Sequence, residues 1–182
     1  MSHWQALSDR VFLVPSALAP AQCVALIALA NAHGFDAAQV RAASGPRAMP
    51  QVRNNQRAQF AAPDWVATLW QLLQSWPLPE VNGQRAVGLP RDLRCYAYDP
   101  GQRFKMHKDG PWLEDGLSSQ LTLLVYLNDN FEGGATDFRE FAVTPHTGDA
   151  LLFIHDTWHE GQAVTRGTKY VLRSDVMYGP AS

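Results

Sequence analysis

The sequence lacks the features that would mark a membrane-spanning, secreted or general nucleic-acid-binding protein. Its 182 residues contain no run of 18 apolar residues, and the most apolar stretch, Val24–Ala30, is too short to cross a membrane. The N-terminus has no charged start followed by an apolar core, so we expect no signal peptide. The net charge of −2, from 15 basic and 17 acidic residues, argues against a general nucleic-acid partner.

Cysteine is also scarce, and repeats, charge blocks and low-complexity tracts are absent. Cys23 and Cys95 lie far apart and match no metal or redox spacing, which predicts two reduced, buried thiols in a cytoplasmic protein. Hydrophobic residues make up 46% and charged residues 18% of the chain, a composition that excludes intrinsic disorder. The length predicts one domain over residues 1–182.

The patterning changes once, near residue 90, from mainly helical to almost wholly β. Apolar residues recur at intervals of three and four in two segments, which predicts helices over Pro20–Asn31 and about Pro63–Trp76. The segment between them, Arg41–Gln59, is polar and rich in Gly and Pro, so it is interpreted as a loop. Residues 1–90 are therefore predicted to be a mainly helical support.

Seven or eight short strands are predicted after residue 90, with turn signals every 8–12 residues or so, a spacing typical of a sandwich or jelly roll. The predicted fold class is α+β, mainly β, with a jelly-roll core over 91–178 and the helices bracing one outer face. The predicted strands are Leu93–Tyr98, Phe104–His107, Gln120–Leu127, Phe138–Val143, Ala150–His155, Glu160–Thr165 and Thr168–Tyr178.

Three residues of this β region form a candidate metal site. His107 and Asp109 are two positions apart, so in a strand their side chains point to the same face and could converge on one ion. His159 is the candidate third ligand. Two histidines and one carboxylate are the ligand set of non-haem Fe(II) oxygenases. Zinc also uses such ligands, so the residues alone leave the metal open.

A charge count points to Lys169, ten residues after His159. Fe(II) with the Asp109 carboxylate has a charge of +1, and a bound 2-oxoglutarate dianion would change it to −1. A buried cation at the distal carboxylate would restore neutrality. Lys169 could supply that cation, and the Tyr98 hydroxyl could donate a hydrogen bond to the same carboxylate.

Strand parity sets a geometric condition on this pairing. If strands 159–165 and 168–178 form a hairpin, His159 and Lys169 share a face only with an odd-numbered loop or a bulge, so one of these is expected. Arg173 has the same parity as Lys169 and is a second candidate for the anion or for the substrate.

Four separate segments then resemble the prolyl 4-hydroxylase-like Fe(II)/2-oxoglutarate dioxygenases. The resemblance covers residues 90–178, and its order and spacings agree throughout. The segments are Tyr98-Asp99-Pro100-Gly101 with Phe104 and His107-Lys108-Asp109, Gly133-Gly134-Ala135-Thr136-Asp137-Phe138, Gly148-Asp149-Ala150-Leu151-Leu152-Phe153, and His159-Glu160-Gly161 with Val164, Gly167 and Lys169-Tyr170.

This resemblance implies a double-stranded β-helix with the metal at one open end. By resemblance, His107, Asp109 and His159 would hold Fe(II), and Lys169 with Tyr98 would bind 2-oxoglutarate. The family uses O₂ to hydroxylate an unactivated C–H bond and releases succinate and CO₂. The substrate would be a peptide or protein side chain or an amino-acid-like small molecule, and the family name does not require proline.

Two further sites are candidates for substrate contact. Arg53-Asn54-Asn55, followed by Arg57, is either a solvated loop or a substrate-facing loop, and related small dioxygenases carry a similar string. In the second case Arg53 or Arg57 could bind a carboxylate or phosphate, and Asn55 would lie beside them. Trp112 is either a core anchor or a lid aromatic.

Two other functions fit part of the pattern. A cupin-like zinc hydrolase or isomerase could use the same ligands, with Glu160 as its base. A non-catalytic jelly-roll binding module is the other alternative, although it would need neither an open metal site nor a buried lysine. Nucleic acid is not expected as a partner, because the loops lack clusters of basic and aromatic residues. No membrane partner is expected either, and the protein is expected to be a monomer or homodimer.

Overall fold

The computed structural model describes residues 3–42 and 44–180. Two helices, neither of them long and apolar enough to cross a membrane, and eighteen strands occupy these residues. In chain order the elements are β1 (Gln5–Ala6), β2 (Val11–Val14), α1 (Pro20–His33), β3 (Asp36–Ala37), β4 (Val40–Ala42), β5 (Gly45–Arg47), β6 (Gln56–Ala61), α2 (Pro63–Leu73), β7 (Gln84–Gly88), β8 (Asp92–Tyr98), β9 (Phe104–His107), β10 (Leu113–Glu114), β11 (Leu117–Tyr126), β12 (Glu132–Gly133), β13 (Thr136–Asp137), β14 (Ala142–Val143), β15 (Ala150–Ile154), β16 (His159–Gly161), β17 (Val164–Arg166) and β18 (Lys169–Pro180).

Two antiparallel sheets form the jelly roll that the strand pattern predicts. The larger sheet has the order β1-β2-β15-β11-β18-β8-β6-β3, with β10 and β7 attached at β11 and β18. The smaller sheet has the order β14-β13-β16-β9. Side chains from both sheets line one cavity, here called the inner cavity, whose walls include Tyr98, Thr122, His159 and Lys169. The mainly β fold class is therefore confirmed.

The two faces of the larger sheet have different roles. On β11, Leu121 and Leu123 are fully buried in the main core together with residues of both helices, such as Leu26 and Leu69. The intervening Thr122 faces the inner cavity instead. This period-two alternation places the helices on the outer face, as predicted, and leaves the inner face for polar side chains.

The N-terminal part contains more β structure than the pattern predicts. Besides the two helices, seven strands precede residue 90. The segment predicted as a loop, Arg41–Gln59, contributes to the β4–β5 hairpin and to the start of β6, which pairs with β8 of the larger sheet. The loop prediction failed because β6 shows its strand alternation only when Phe60 is included. Exposed polar residues alternate there with buried Ala58 and Phe60, and Phe60 lies beyond the end of the predicted loop.

Two predicted strands are not continuous in the structure. The segment Phe138–Val143 contains a turn between β13 and β14, where the Phe138 N–H donates to the Phe141 carbonyl and Arg139 has φ +73°. The other is Glu160–Thr165, which divides into β16 and β17, paired with different sheets. The short two-residue pairings give too little periodicity to separate such pieces in the sequence.

The expected hairpin of strands 159–165 and 168–178 does not form. β16 belongs to the smaller sheet, β17 pairs with β12, and β18 lies at the middle of the larger sheet. His159 and Lys169 therefore reach the inner cavity from two different sheets, and the predicted odd-numbered loop or bulge is not needed.

Candidate active site

Strand pairing brings the two candidate histidines side by side. His107 ends β9, His159 begins β16, and the two residues are direct partners in the antiparallel register. Their ring centroids are 4.2 Å apart. Phe104 stacks on His107 at 3.5 Å, and Phe153 packs against His159 at 4.4 Å, so aromatic rings restrict both imidazoles.

Asp109 completes the group from the segment that follows β9. Its backbone N–H donates to the His155 carbonyl at 3.1 Å, which directs the carboxylate toward the imidazoles. Asp109 Oδ1 lies 3.4 Å from His107 Nε2, and Oδ2 lies 3.6 Å from His159 Nε2. One ligand atom from each of the three residues falls within 4.8 Å of the others, an arrangement that could hold a metal ion.

The hydrogen-bond partner of each Nδ1 atom determines which tautomer the histidine adopts. His107 Nδ1 lies 2.6 Å from the Lys105 carbonyl, and His159 Nδ1 lies 2.9 Å from the Thr157 carbonyl. A carbonyl oxygen only accepts, so each Nδ1 carries the hydrogen and each Nε2 lone pair faces the carboxylate. Burial lowers the pKa of His159 to about 4, so its ring is neutral. This donor set fits a divalent metal such as Fe(II).

The Asp109 carboxylate is held as an anion by its neighbours. Burial by itself would raise its pKa, but the neighbouring Arg173 guanidinium outweighs burial and holds the pKa well below its usual range. Arg173 Nη2 lies 3.2 Å from Oδ2, and the Thr122 hydroxyl donates to the same oxygen at 2.6 Å. Oδ2 is thus occupied by two donors, which leaves Oδ1 the less engaged oxygen.

Lys169 occupies the far part of the inner cavity as an isolated buried cation. Its side chain is 3% exposed, and its Nζ donates to the Gly134 carbonyl at 2.6 Å. The rings of Tyr98 and Tyr126 lie 5.3 and 5.5 Å from Nζ. Within the described ranges it forms no salt bridge, and burial lowers its pKa to about 7.

The Gly133-Gly134 pair shapes this lysine site. Gly134 has φ +68°, and a Cβ added there would lie 3.1 Å from Lys169 Cδ. Gly133 has φ +75°, and an added Cβ would lie 2.5 Å from the Ala163 carbonyl oxygen. Glycine is therefore required at both positions, because larger residues would displace the segment that accepts the lysine hydrogen bond.

Tyr98 and Arg173 line the same inner cavity as Lys169, as strand alternation predicts. Tyr98 is the register partner of Lys169 across β8 and β18, and burial raises its pKa to about 12, so its hydroxyl is a neutral donor. Arg173 shares the cavity face with Lys169, but its guanidinium lies beside Asp109 and Asp175. Lys169, in contrast, has no carboxylate partner among the residues that the structure describes.

Beyond the metal group the cavity opens into a second depression, here called the outer cleft. Arg53, Arg57 and Trp112 line it, and Arg94 lies over the Trp112 ring at 4.8 Å. Asn55 does not line the cleft, since it is 1% exposed and accepts a hydrogen bond from Arg53 Nε at 2.7 Å. Asn55, which the sequence made a candidate for substrate contact, therefore positions Arg53 and does not line the cleft itself.

Comparison with known proteins relates the β region of the chain to one family. Residues 93–174 match the family model of the 2OG-Fe(II) oxygenase superfamily. The matched segment contains His107, Asp109, His159 and Lys169. Members of this superfamily use Fe(II), 2-oxoglutarate and O₂, in agreement with the cofactors expected from the sequence.

One curated protein and several solved structures similar to this chain are named prolyl hydroxylases. A protein of Acanthamoeba polyphaga mimivirus, provisionally named prolyl 4-hydroxylase, is 27% identical over 188 residues, covering 90% of this chain and 72% of the relative. The viral collagen prolyl hydroxylase of Paramecium bursaria Chlorella virus-1, solved with 2-oxoglutarate, has a TM-score of 0.70 at 22% identity and covers 93% and 97% of the two chains. A Trichoplax adhaerens prolyl hydroxylase, solved with a hypoxia inducible factor peptide, has a TM-score of 0.71 at 17% identity, covering 93% and 84%.

The site also contains a polar network behind Asp109 that the sequence pattern did not identify. The His155 ring contacts the Thr122 hydroxyl at 2.9 Å and the Ser119 hydroxyl at 2.7 Å. Asp175, which is 1% exposed, is ion-paired with Arg94 and lies 3.5 Å from His155. Arg94 and Tyr96 share the face of β8 that carries Tyr98, so strand alternation from Tyr98 could have found both.

Thr122 is expected to hold the metal-facing orientation of Asp109. The change Thr122→Val keeps the shape of the side chain but removes the donor to Oδ2, so we expect Fe(II) affinity to fall about 10- to 100-fold. Anaerobic Fe(II) titration measures the loss, with Thr165→Val, at an exposed threonine, as the matched control. Equal affinities of Thr122→Val and wild type would contradict this role.

Proposed function

We propose that the protein is an Fe(II)- and 2-oxoglutarate-dependent hydroxylase acting on an unactivated C–H bond of a peptide side chain or an amino-acid-like small molecule. The single observation that carries the proposal is the unpaired, buried Lys169 in the same cavity as His107, Asp109 and His159. A prolyl residue is the first substrate to test, because the relatives above are named prolyl hydroxylases.

The charges support 2-oxoglutarate as the second ligand of this cavity. A divalent ion with one carboxylate leaves a charge of +1, and the dianion makes it −1. Lys169 brings the sum to zero when it is protonated, and a buried site without this balance would be costly. Arg173 fits the distal carboxylate less well, since Asp109 and Asp175 already neutralise it.

The residues of the inner cavity would bind either the metal or 2-oxoglutarate. His107 and His159 bind the metal through Nε2 while their Nδ1 hydrogens stay on backbone carbonyls. Lys169 and the Tyr98 hydroxyl hold the distal carboxylate of 2-oxoglutarate and orient it. When bound, the iron, O₂ and 2-oxoglutarate supply the oxidising chemistry, with succinate and CO₂ as the other products.

The zinc hydrolase alternative lacks a base in the cavity. Glu160, its candidate base, lies on β16 opposite Asp137 and does not line the inner cavity. Asp109 is engaged by Arg173 and Thr122, so it is a poor proton acceptor. These placements favour the oxygenase, and no observation favours the hydrolase.

The test is an anaerobic titration of the protein with Fe(II) and 2-oxoglutarate, recorded in the visible range. We expect the metal-to-ligand charge-transfer band of a chelated keto acid in the wild type and no band in His107→Ala. Formation of succinate with a prolyl peptide, and a mass gain of one oxygen in that peptide, would then identify the reaction. Iron binding without the band would contradict the proposal.

A further inference from the structure

The outer cleft contains two arginines that have no acidic partner within residues 3–42 and 44–180. In the described part of the chain, Arg94 pairs with Asp175, Arg173 with Asp109 and Asp175, and Lys108 with Asp156. Arg53 and Arg57 also line the cleft, but neither comes within salt-bridge distance of a carboxylate there. Two positive charges beside the metal group are therefore left without a carboxylate partner among the described residues.

Arg53 is rigidly held and has one free edge. Its guanidinium lies between the rings of Tyr96 and Phe104, at 4.3 and 4.5 Å, and Asn55 holds its Nε. The side chain is 5% exposed, yet its Nη2 is buried without any hydrogen-bond partner. Such an unsatisfied charged donor is costly unless a ligand completes it.

Arg57, on β6, adds a second positive charge to the outer cleft. It is half-buried, and burial lowers its pKa, an effect to which the nearby Arg53, Arg94 and Arg173 add and which Tyr96 opposes. The arginines also act on Tyr96: they overcome the effect of burial and lower its pKa to about 7. The effect on Tyr96 follows from the positive charge of these arginines, and the same charge favours an anion in the cleft.

We propose that the substrate of this enzyme carries a carboxylate, bound by Arg53 and Arg57 in the outer cleft while the C–H bond to be hydroxylated faces the metal group. The planar two-oxygen anion matches the guanidinium edge. The inner cavity and the outer cleft share Tyr96, Phe104, His107 and Asp109, so one substrate can extend from the arginines to the metal. This inference rests on the proposed function, since it names the substrate class of the same site.

Two sources of this carboxylate are chemically equivalent: an acidic residue beside the target residue in a peptide, and the free carboxylate of an amino acid. The test therefore uses two matched pairs of probes on the anaerobic protein loaded with Fe(II) and 2-oxoglutarate. One pair is acetyl-Glu-Pro-Glu-amide and acetyl-Gln-Pro-Gln-amide. The other pair is N-acetyl-L-proline and N-acetyl-L-prolinamide. Calorimetry measures the dissociation constant of each probe.

In one of the pairs the charged member is expected to bind about 10-fold more tightly or better, and that pair identifies the source. Arg57→Gln should reduce this preference to near unity, and Arg57→Lys should retain part of it. Arg53→Gln should have the same effect as Arg57→Gln. If the buried Arg53 cannot be replaced without loss of folding, the Arg57 variant still tests the proposal, because Arg57 is only half-buried. Arg85→Gln is the matched control, because Arg85 is exposed and paired with Glu80.

Three results would overturn the inference: no preference for the charged member in either pair, an unchanged preference in Arg57→Gln, or no binding by either charged probe. The charge-transfer band is recorded in the same wild-type samples. Its absence would contradict the proposed function, whereas its presence without a charge preference would contradict the carboxylate site alone.

Discussion

Loss of a metal ligand should abolish turnover and reduce Fe(II) affinity by more than about 100-fold, a larger effect than the loss of a supporting residue produces. His107→Ala and Asp109→Ala are the two variants. His107 is the safer one for folding, because its side chain is 17% exposed at the rim of the site and packs mainly on Phe104. Asp109→Ala still leaves Arg173 beside Asp175.

Anaerobic Fe(II) titration and succinate release measure the two effects, and circular dichroism with a thermal melt checks that each variant is folded. Asp36→Ala, at an exposed position on β3, is the control for the carboxylate change. Full activity in folded His107→Ala or Asp109→Ala would contradict the ligand assignment. Loss of activity with unchanged iron affinity would assign the residue to a later step.

Lys169→Met is expected to raise the concentration of 2-oxoglutarate needed for half-maximal turnover by roughly 100-fold, since it removes one partner of a buried charge pair. The variant should fold well, because methionine fills a similar volume and Lys169 is a costly buried cation. Titration of the charge-transfer band with 2-oxoglutarate measures the effect. If Arg173→Met raises the 2-oxoglutarate concentration that is needed and Lys169→Met does not, Arg173 and not Lys169 binds the distal carboxylate.

The lowered pKa of Lys169 predicts that the affinity for 2-oxoglutarate depends on pH. Burial lowers its pKa to about 7 in the protein without the anion, so the amine is protonated below pH 7 and neutral above it. Binding of 2-oxoglutarate requires the protonated form, so affinity should fall as the pH rises above 7, by about tenfold per unit until the pKa of the complex is reached. Lys169→Arg, which stays protonated, should bind with little change over this range. A slope retained in Lys169→Arg would assign it to another group.

The strand core was largely predictable because its residues alternate over long segments. Asp92–Tyr98, Phe104–His107 and Lys169–Pro180 lie close to their predicted bounds. Predictions failed where pairing is short, as in the β4–β5 hairpin and the division of Glu160–Thr165 into β16 and β17. A two- or three-residue strand has too few side chains to show a period, and only its partner strand defines it.

By itself, the sequence determined the mainly β class, the helix positions and the grouping of His107, Asp109, His159 and Lys169, because these depend on local periodicity and on motif spacing. Only the tertiary structure decided that His159 and Lys169 approach from two sheets, that Asn55 supports Arg53, and that Thr122 and His155 stand behind Asp109. Those relations join residues far apart in the chain. Distances across a cavity depend on which sheet each strand joins, and no local pattern encodes that choice.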